Sequence, residues 1–289
     1  MNDNELCWCG SKKEYKDCHK EFDIKCALKE KEGYLIPKKT MIKNENQIEG
    51  IRKAAFYNNA LLDLIENSIH EGMSTDEIDV IATNFLKENN CISADYHYEG
   101  FPKHLCTSVN DVVCHGIPSK RVILKKGDII NVDTTLSYNG YYADASRMFI
   151  VGGETNEKAQ KLVRVTKECL IKAEDAIKPF ETTLNDIGRI IEKHAHKNGF
   201  SVVEEFCGHG VGLSMHEDPY VLHYSVNEKT YLLVPGMVIT IEPMINQGLK
   251  GIYIDSNDGW TVRTKDKKLS AQWEHTLVVT NDGIEVLSK

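Results

Sequence analysis

The sequence of 289 residues contains no run of about 18 apolar residues, so no membrane-spanning helix is expected. Its opening, MNDNELCWCG, lacks a basic segment followed by an apolar one, and no secretory signal is read there. Cysteine is present in an odd number, nine, and without such a signal the thiols read as reduced, in a cytoplasmic setting, rather than as a disulfide framework. A surplus of positive charge is missing too. Lys and Arg number 35 against 43 Asp and Glu, a formal net charge of −8, which argues against sequence-specific nucleic-acid binding or a general nucleic-acid surface. What is present is ordinary for a globular chain: 41% hydrophobic and 27% charged residues, enough to bury a core in one large domain or two smaller ones.

Residues 1–22 differ from the rest. CWCGSKKEYKDCH places three cysteines and a histidine in thirteen positions, too few for a core of its own. Residues 23–43, rich in Lys and Glu with a Gly and a Pro, read as a linker. Residues 44–289 alternate helix-like and strand-like segments and contain an internal repeat. KKGDIINVDTTLS (125–137) and VPGMVITIEPMIN (234–246) each run from a Gly through an apolar strand to a carboxylate, Asp133 and Glu242, 109 positions apart. The same offset pairs Ser74 with Thr183, and Ser74 followed by Glu77 has capping-box spacing. Each copy continues into a hairpin whose second strand carries another carboxylate, Asp144 and Glu274; their offset of 130 gives the second copy an insertion of 21 residues. Two copies of helix, helix and hairpin facing one another predict an α+β domain with pseudo-twofold symmetry.

Side chains alternate faces along a strand, so Asn131, Asp133 and Thr135 share one face while Ile130 and Val132 take the other. An Asp within IINVDTTL, or a Glu within VITIEPM, is costly to bury unless it is paired or bound to a cation. Asp133, Asp144, Glu242 and Glu274 are predicted to converge at the axis, where four anions repel strongly without cations. The stretch FCGHGVGLSMHEDPY (206–220) offers two histidines among glycines that each cost a helix about 1 kcal/mol, so it reads as loop or strand making a close backbone approach. One of its histidines would add a single nitrogen to an oxygen-rich set, which suits two divalent ions roughly 3.5–4 Å apart.

VCHGIP around His115, NVDTT with Asp133, YYADASRMF with Asp144, CGHGVG with His209, MHEDP with His216, IEPM with Glu242 and WEHT with Glu274 together resemble the type I methionine aminopeptidases. That resemblance implies a pita-bread (creatinase/aminopeptidase-like) fold over residues 44–289 and two divalent ions, Mn, Fe, Co or Zn, held by Asp133, Asp144, His209, Glu242 and Glu274. It implies removal of the N-terminal methionine of nascent proteins and peptides when the next residue is small, by attack of a metal-bridged hydroxide on the first peptide bond. Glu242 would shuttle the proton, His216 would face the scissile carbonyl, and His115 would stand near the amide nitrogen. The resemblance further places Tyr98, Phe101, Cys106, Met215 and Trp260, with His115 and His216, around the substrate pocket. This chain has Met215 where the family often has Phe, and Asp95 near a position often small or Cys. Proline-specific relatives would share the ligands, but GFPKHLCTSVNDVVCHGIP favours the methionine enzyme. Only 25 residues separate His216 from Glu242, against the long insertion of the type II enzymes.

The N-terminal pattern is similar to the SEC-C motif, which implies one structural zinc held by Cys7, Cys9, Cys18 and His19 in a closed tetrahedron. Its lysines read as locally basic, and because the family resembled acts on emerging chains, the resemblance implies docking of this module to the ribosome or the nascent-chain machinery.

Overall fold

A computed structural model describes residues 1–289. Five helices, α1 (Lys20–Lys31), α2 (Glu45–Ser68), α3 (Thr75–Glu88), α4 (Glu157–Asp175) and α5 (Leu184–Lys197), accompany short sheets built mostly from antiparallel pairs. No helix is long and apolar enough to cross a membrane. The first half centres on a hairpin of strands Ile129–Tyr138 and Tyr141–Ile150, paired along their full length. In the second half, strands Ile284–Ser288, His275–Val279, Val238–Ile241, Gly208–Gly210 and Glu217–Val221 lie side by side in that order. Alternation decides what each face meets. Ile130, Val132, Leu136, Ala143 and Ala145 pack with the apolar faces of α2 and α3, and Ile239, Ile241 and Leu277 pack with α4 and α5. The polar faces are thereby turned to the seam between the halves.

The expected pseudo-twofold repeat is present in the detail of the caps. Helices α3 and α5 begin and end 109 positions apart. The backbone N–H and hydroxyl of Ser74 donate to the Glu77 carboxylate at 2.8 and 2.7 Å, and those of Thr183 donate to Asp186 at 2.8 and 2.7 Å. Ser74 bridges to Ile123 and Thr183 to Leu232, again one repeat apart. Gly127 and Gly236, which open the repeated strands, share a left-handed turn at φ 90° and 88°. The halves join where Glu274 and Ser146 exchange backbone hydrogen bonds of 3.1 and 3.3 Å, and where the Thr276 hydroxyl donates to the Asp144 carbonyl at 2.7 Å. The 21 extra residues form strands Ile252–Ile254 and Val262–Thr264, and the turn between them holds Trp260.

The segment 23–43 departs from a linker. Residues 23–31 belong to α1, whose Cys26 is buried in the larger core, followed by Tyr34 and Ile36 packed on that core and a bridge from Leu35 to Tyr231. Its charges conceal this because the helix needs only a narrow apolar contact. The signal that survives is Glu21 and Asp23 in its first turn with Lys29 and Lys31 in its last, the arrangement that complements the helix dipole.

Since Ser74 and Thr183 each donate from backbone and hydroxyl to the acid three residues on, Ser74→Ala and Thr183→Ala should each cost about 1 kcal/mol in denaturant unfolding. A large inequality between them would show that the caps are not equivalent.

Candidate metal centre

The carboxylates reach one place from separate elements. Asp133 lies on strand Ile129–Tyr138; Asp144 sits across from Thr135, so both face the same side of the hairpin. Glu242 follows strand Val238–Ile241, and Glu274 occupies the seam bridge to Ser146. Asp144, Glu242, Glu274 and His209 are buried. Ligand atoms of Asp144, His209 and Glu274 lie within 4.8 Å of one another, and Asp133 and Glu242 line the same cavity. His209 Nε2 is 3.7 Å from Asp144 Oδ2 and 3.6 Å from Glu242 Oε1.

His209 arrives on the three-residue strand Gly208–Gly210. A side chain at Gly208 would strike the Thr240 carbonyl, and one at Gly210 the Asp218 carbonyl. The close approach expected of these glycines is therefore to the neighbouring backbone on either side; His209 alone projects into the cavity. Its Nδ1 is 2.9 Å from the Gly210 carbonyl, which can only accept, so Nδ1 carries the proton and the Nε2 lone pair faces the acids. Glu242 is fixed by the Thr240 hydroxyl at 2.9 Å, by Gln272 Nε2 at 3.4 Å, and by its own N–H, which donates to His223 Nε2 at 3.2 Å.

The electrostatics ask for a cation. Burial pushes Asp133 up to about 7, against a hydrogen bond with Glu274 that pulls the other way. Burial, then the Asp133 charge, pushes Glu242 up to about 8. Asp144 and Glu274 are held well above the carboxylate range by burial and by their acidic neighbours. Burial lowers His209 to about 4, so its imidazole is neutral near pH 7. Asp144 Oδ1 is buried with no hydrogen-bond partner, a costly state for a carboxylate oxygen. An oxygen-rich set with one neutral imidazole and an orphaned oxygen fits hard or borderline divalent cations.

The cavity measures about 400 Å³, and Tyr98, Phe101, Cys106, His115, Met215, His216 and Trp260 all line it. Phe101 and His115 stand edge-on to Trp260, with ring centroids 5.2 and 6.0 Å away. His115 is held at φ 55°, outside the conformations most side chains adopt. His216 stacks edge-on to His209 at 4.5 Å, and its Nδ1 is 3.1 Å from the Tyr98 hydroxyl. Asp95 also lines the wall, accepting the Thr135 N–H at 3.1 Å, and burial with the Asp133 charge holds its carboxyl well above the usual range. Phe206, Glu205, Tyr220 and Met244 also line the cavity without having been singled out in the sequence. Phe206, Tyr220 and Met244 lie inside the quoted stretches, whereas Glu205 carries no local signal.

A second donor cluster lies in the N-terminal module. Cys7 Sγ is 3.2 Å and Cys18 Sγ 3.1 Å from His19 Nδ1, and Cys9 Sγ is 3.6 Å from Cys18 Sγ. Sulfurs about 2.3 Å and a nitrogen about 2.0 Å from a tetrahedral zinc would stand roughly 3.5–3.8 Å apart, so the set fits zinc with small adjustments. The Trp8 ring packs on His19 at 4.4 Å, and Phe22 reaches Phe180 at 5.9 Å, fastening the module to the body.

The profile of metallopeptidase family M24 matches residues 49–281, and that of the SEC-C motif matches residues 4–21. The chain is 46% identical over 248 residues to a methionine aminopeptidase of Buchnera aphidicola, covering 86% of this chain and 94% of that one. It is 42% identical over 291 residues to a methionine aminopeptidase of Chlamydia trachomatis, covering 100% of this chain and 99% of that one. The crystal structure of methionine aminopeptidase from Rickettsia prowazekii superposes with a TM-score of 0.83 at 40% identity, over 88% of this chain and 100% of that chain.

The raised carboxyls predict a distinctive pH dependence for metal-free protein. Unfolding lowers Asp133 and Glu242 from about 7 and about 8 to the ordinary 3.8 and 4.5, so between these limits the folded chain holds protons that the unfolded chain releases. Stability is then greatest below about pH 4 as far as these groups are concerned, and falls as pH rises through 7 to 8. Melting curves in chelator from pH 5 to 8.5 should show the decline and added divalent metal should reverse it; a flat profile would contradict the site electrostatics.

Proposed function

The chain belongs to metallopeptidase family M24, among its methionine aminopeptidases, and from that premise we propose how its own residues carry out the removal of an N-terminal methionine. We take residues 44–289 as the catalytic unit and residues 1–22 as a zinc module. We assign Asp133, Asp144, His209, Glu242 and Glu274 as ligands of two divalent ions, with Mn, Fe, Co or Zn all compatible with the donors. The observation that carries this reading is the convergence of four carboxyls and one unprotonated imidazole nitrogen in a single buried cavity. When bound, such ions supply Lewis acidity, acidifying water and polarising a carbonyl.

The remaining work falls to side chains. Glu242 Oε1 already accepts from Thr240, which leaves Oε2, only weakly engaged by Gln272, to take a proton and pass it to the leaving amine. With Tyr98 donating to His216 Nδ1, the His216 proton sits on Nε2 and is offered to the scissile carbonyl oxygen. His115, lowered by burial to about 4, is neutral and can donate or accept at the amide nitrogen without adding charge. Phe101, Cys106, Met215 and Trp260 give the thioether a soft, apolar wall. We attribute selection of a small second residue to the rings of His115, Phe206, Tyr98 and His216, which crowd the rest of the lining.

Nascent chains are the proposed physiological substrate. The ribosome stays the proposed partner of the module, whose Lys13, Lys16 and Lys20 make exposed, readily exchanged pairs with Glu45, Glu14 and Asp3. Lys12 is the one lysine of the module's four outside these pairs.

Exhaustive chelation should abolish cleavage of Met-Gly-Met, and Mn, Fe or Co should restore it; full turnover by verified metal-free protein would end the metal reading. His216→Ala should keep its metals and lose roughly 10²–10³ in turnover, the scale of one missing oxyanion donor. If elemental analysis instead finds that variant empty, His216 belongs among the ligands. Replacing Cys9 and Cys18 by Ser should release one zinc per chain while the catalytic metals stay.

A further inference from the structure

Lys43 is the only lysine or arginine among the buried residues. Its ammonium lies 2.5 Å from Glu217 Oε2, with side-chain exposures of 1% and 16%. The other oxygen of Glu217 accepts the backbone N–H groups of Leu213 at 2.7 Å and Ser214 at 3.1 Å. Glu217 thus ties the start of a tight loop to the residue just beyond its end, and the loop between carries Met215 and His216 into the cavity. The Ser214 hydroxyl closes the turn by donating to the His216 carbonyl at 3.0 Å. Lys43 itself is anchored through its backbone, which donates to the Gly236 carbonyl at 2.8 Å, beside the bridge from Ile42 to Met237.

A largely buried carboxylate stays inward only while a cation faces it. Without Lys43, Glu217 gains by turning to solvent, and the Leu213 and Ser214 amides lose their acceptor. We propose that Lys43, far from the catalytic residues in sequence, is a positioning residue: it holds Glu217 inward so that the 213–217 loop presents Met215 and His216 correctly. The proposal rests on the roles given above to those two residues.

The test uses the full, metal-loaded protein. Hydrogen exchange of the peptide covering 213–217 is measured together with metal content and with kcat and KM on Met-Gly-Met. Lys43→Met should raise exchange in that peptide and lower kcat by about 10–10²-fold, the scale of a misplaced catalytic group, with metal content unchanged. Adding Glu217→Gln should restore both, because a neutral amide oxygen can still accept the two N–H groups without a buried charge. In a His216→Ala background, Lys43→Met should add little further loss, since it acts through the same loop. Unchanged exchange in Lys43→Met, or a full loss persisting with Glu217→Gln or in the His216→Ala background, overturns the proposal. If His216→Ala itself leaves turnover intact, the catalytic reading fails instead, and exchange alone decides whether Lys43 holds the loop. Should Lys43→Met not fold, Lys43→Gln, which keeps a donor toward Glu217, should show the same two losses at smaller size, and their absence counts against the proposal.

Discussion

Four carboxyls forced together at a buried seam are the constraint on which the structure turns. Their mutual repulsion and desolvation oppose folding of the bare chain, and the fold answers by distributing them over two halves whose polar faces meet. Ser146 and Glu274, Thr276 and Asp144, and the Asn131 amide that donates to the Gln272 carbonyl at 2.8 Å stitch that seam with hydrogen bonds. The apolar faces of the same strands are turned outward against helices, so the core is assembled around the charged site instead of through it. Such an arrangement is tolerable because a divalent cation replaces the protons that the raised carboxyls otherwise retain.

The histidines show how backbone placement sets chemistry. A carbonyl beside Nδ1 makes His209 a lone-pair donor at Nε2, while the hydroxyl beside Nδ1 of His216 is a group able to donate, as the proposed role of His216 as a proton donor requires. Two imidazoles 4.5 Å apart thereby have different partners at Nδ1. Glycines at 208 and 210 make the first possible, since any side chain there would push the adjoining strands apart.

The N-terminal segment is more closely bound to the catalytic body than its composition suggests. Asn44, which caps α2, donates from its amide to the Cys9 carbonyl at 2.7 Å, and its neighbour Lys43 reaches Glu217. Two consecutive residues thus touch the zinc module on one side and the loop of Met215 and His216 on the other. Cys26, on the helix between, is part of the main core.

The repeat, the carboxylates, the histidine-bearing motifs and the cysteine spacing were legible in the sequence because each is a local pattern. Gly at a strand start, an Asp or Glu at its polar phase, and a cap three residues from its acid all act within a few positions. The packing of 23–43 was not legible, because a few contacts such as Cys26 on the core bind a helix whose surface is otherwise charged. Nor were Glu205 in the cavity wall, the tautomer of His209, or the Lys43–Glu217 pair across 174 positions. By itself the sequence determined which donors exist and that they recur in two copies. Which nitrogen faces the acids, which oxygen lacks a partner and which lysine steadies the loop were decided by tertiary structure, since hydrogen bonding and desolvation depend on neighbours brought together only by the fold.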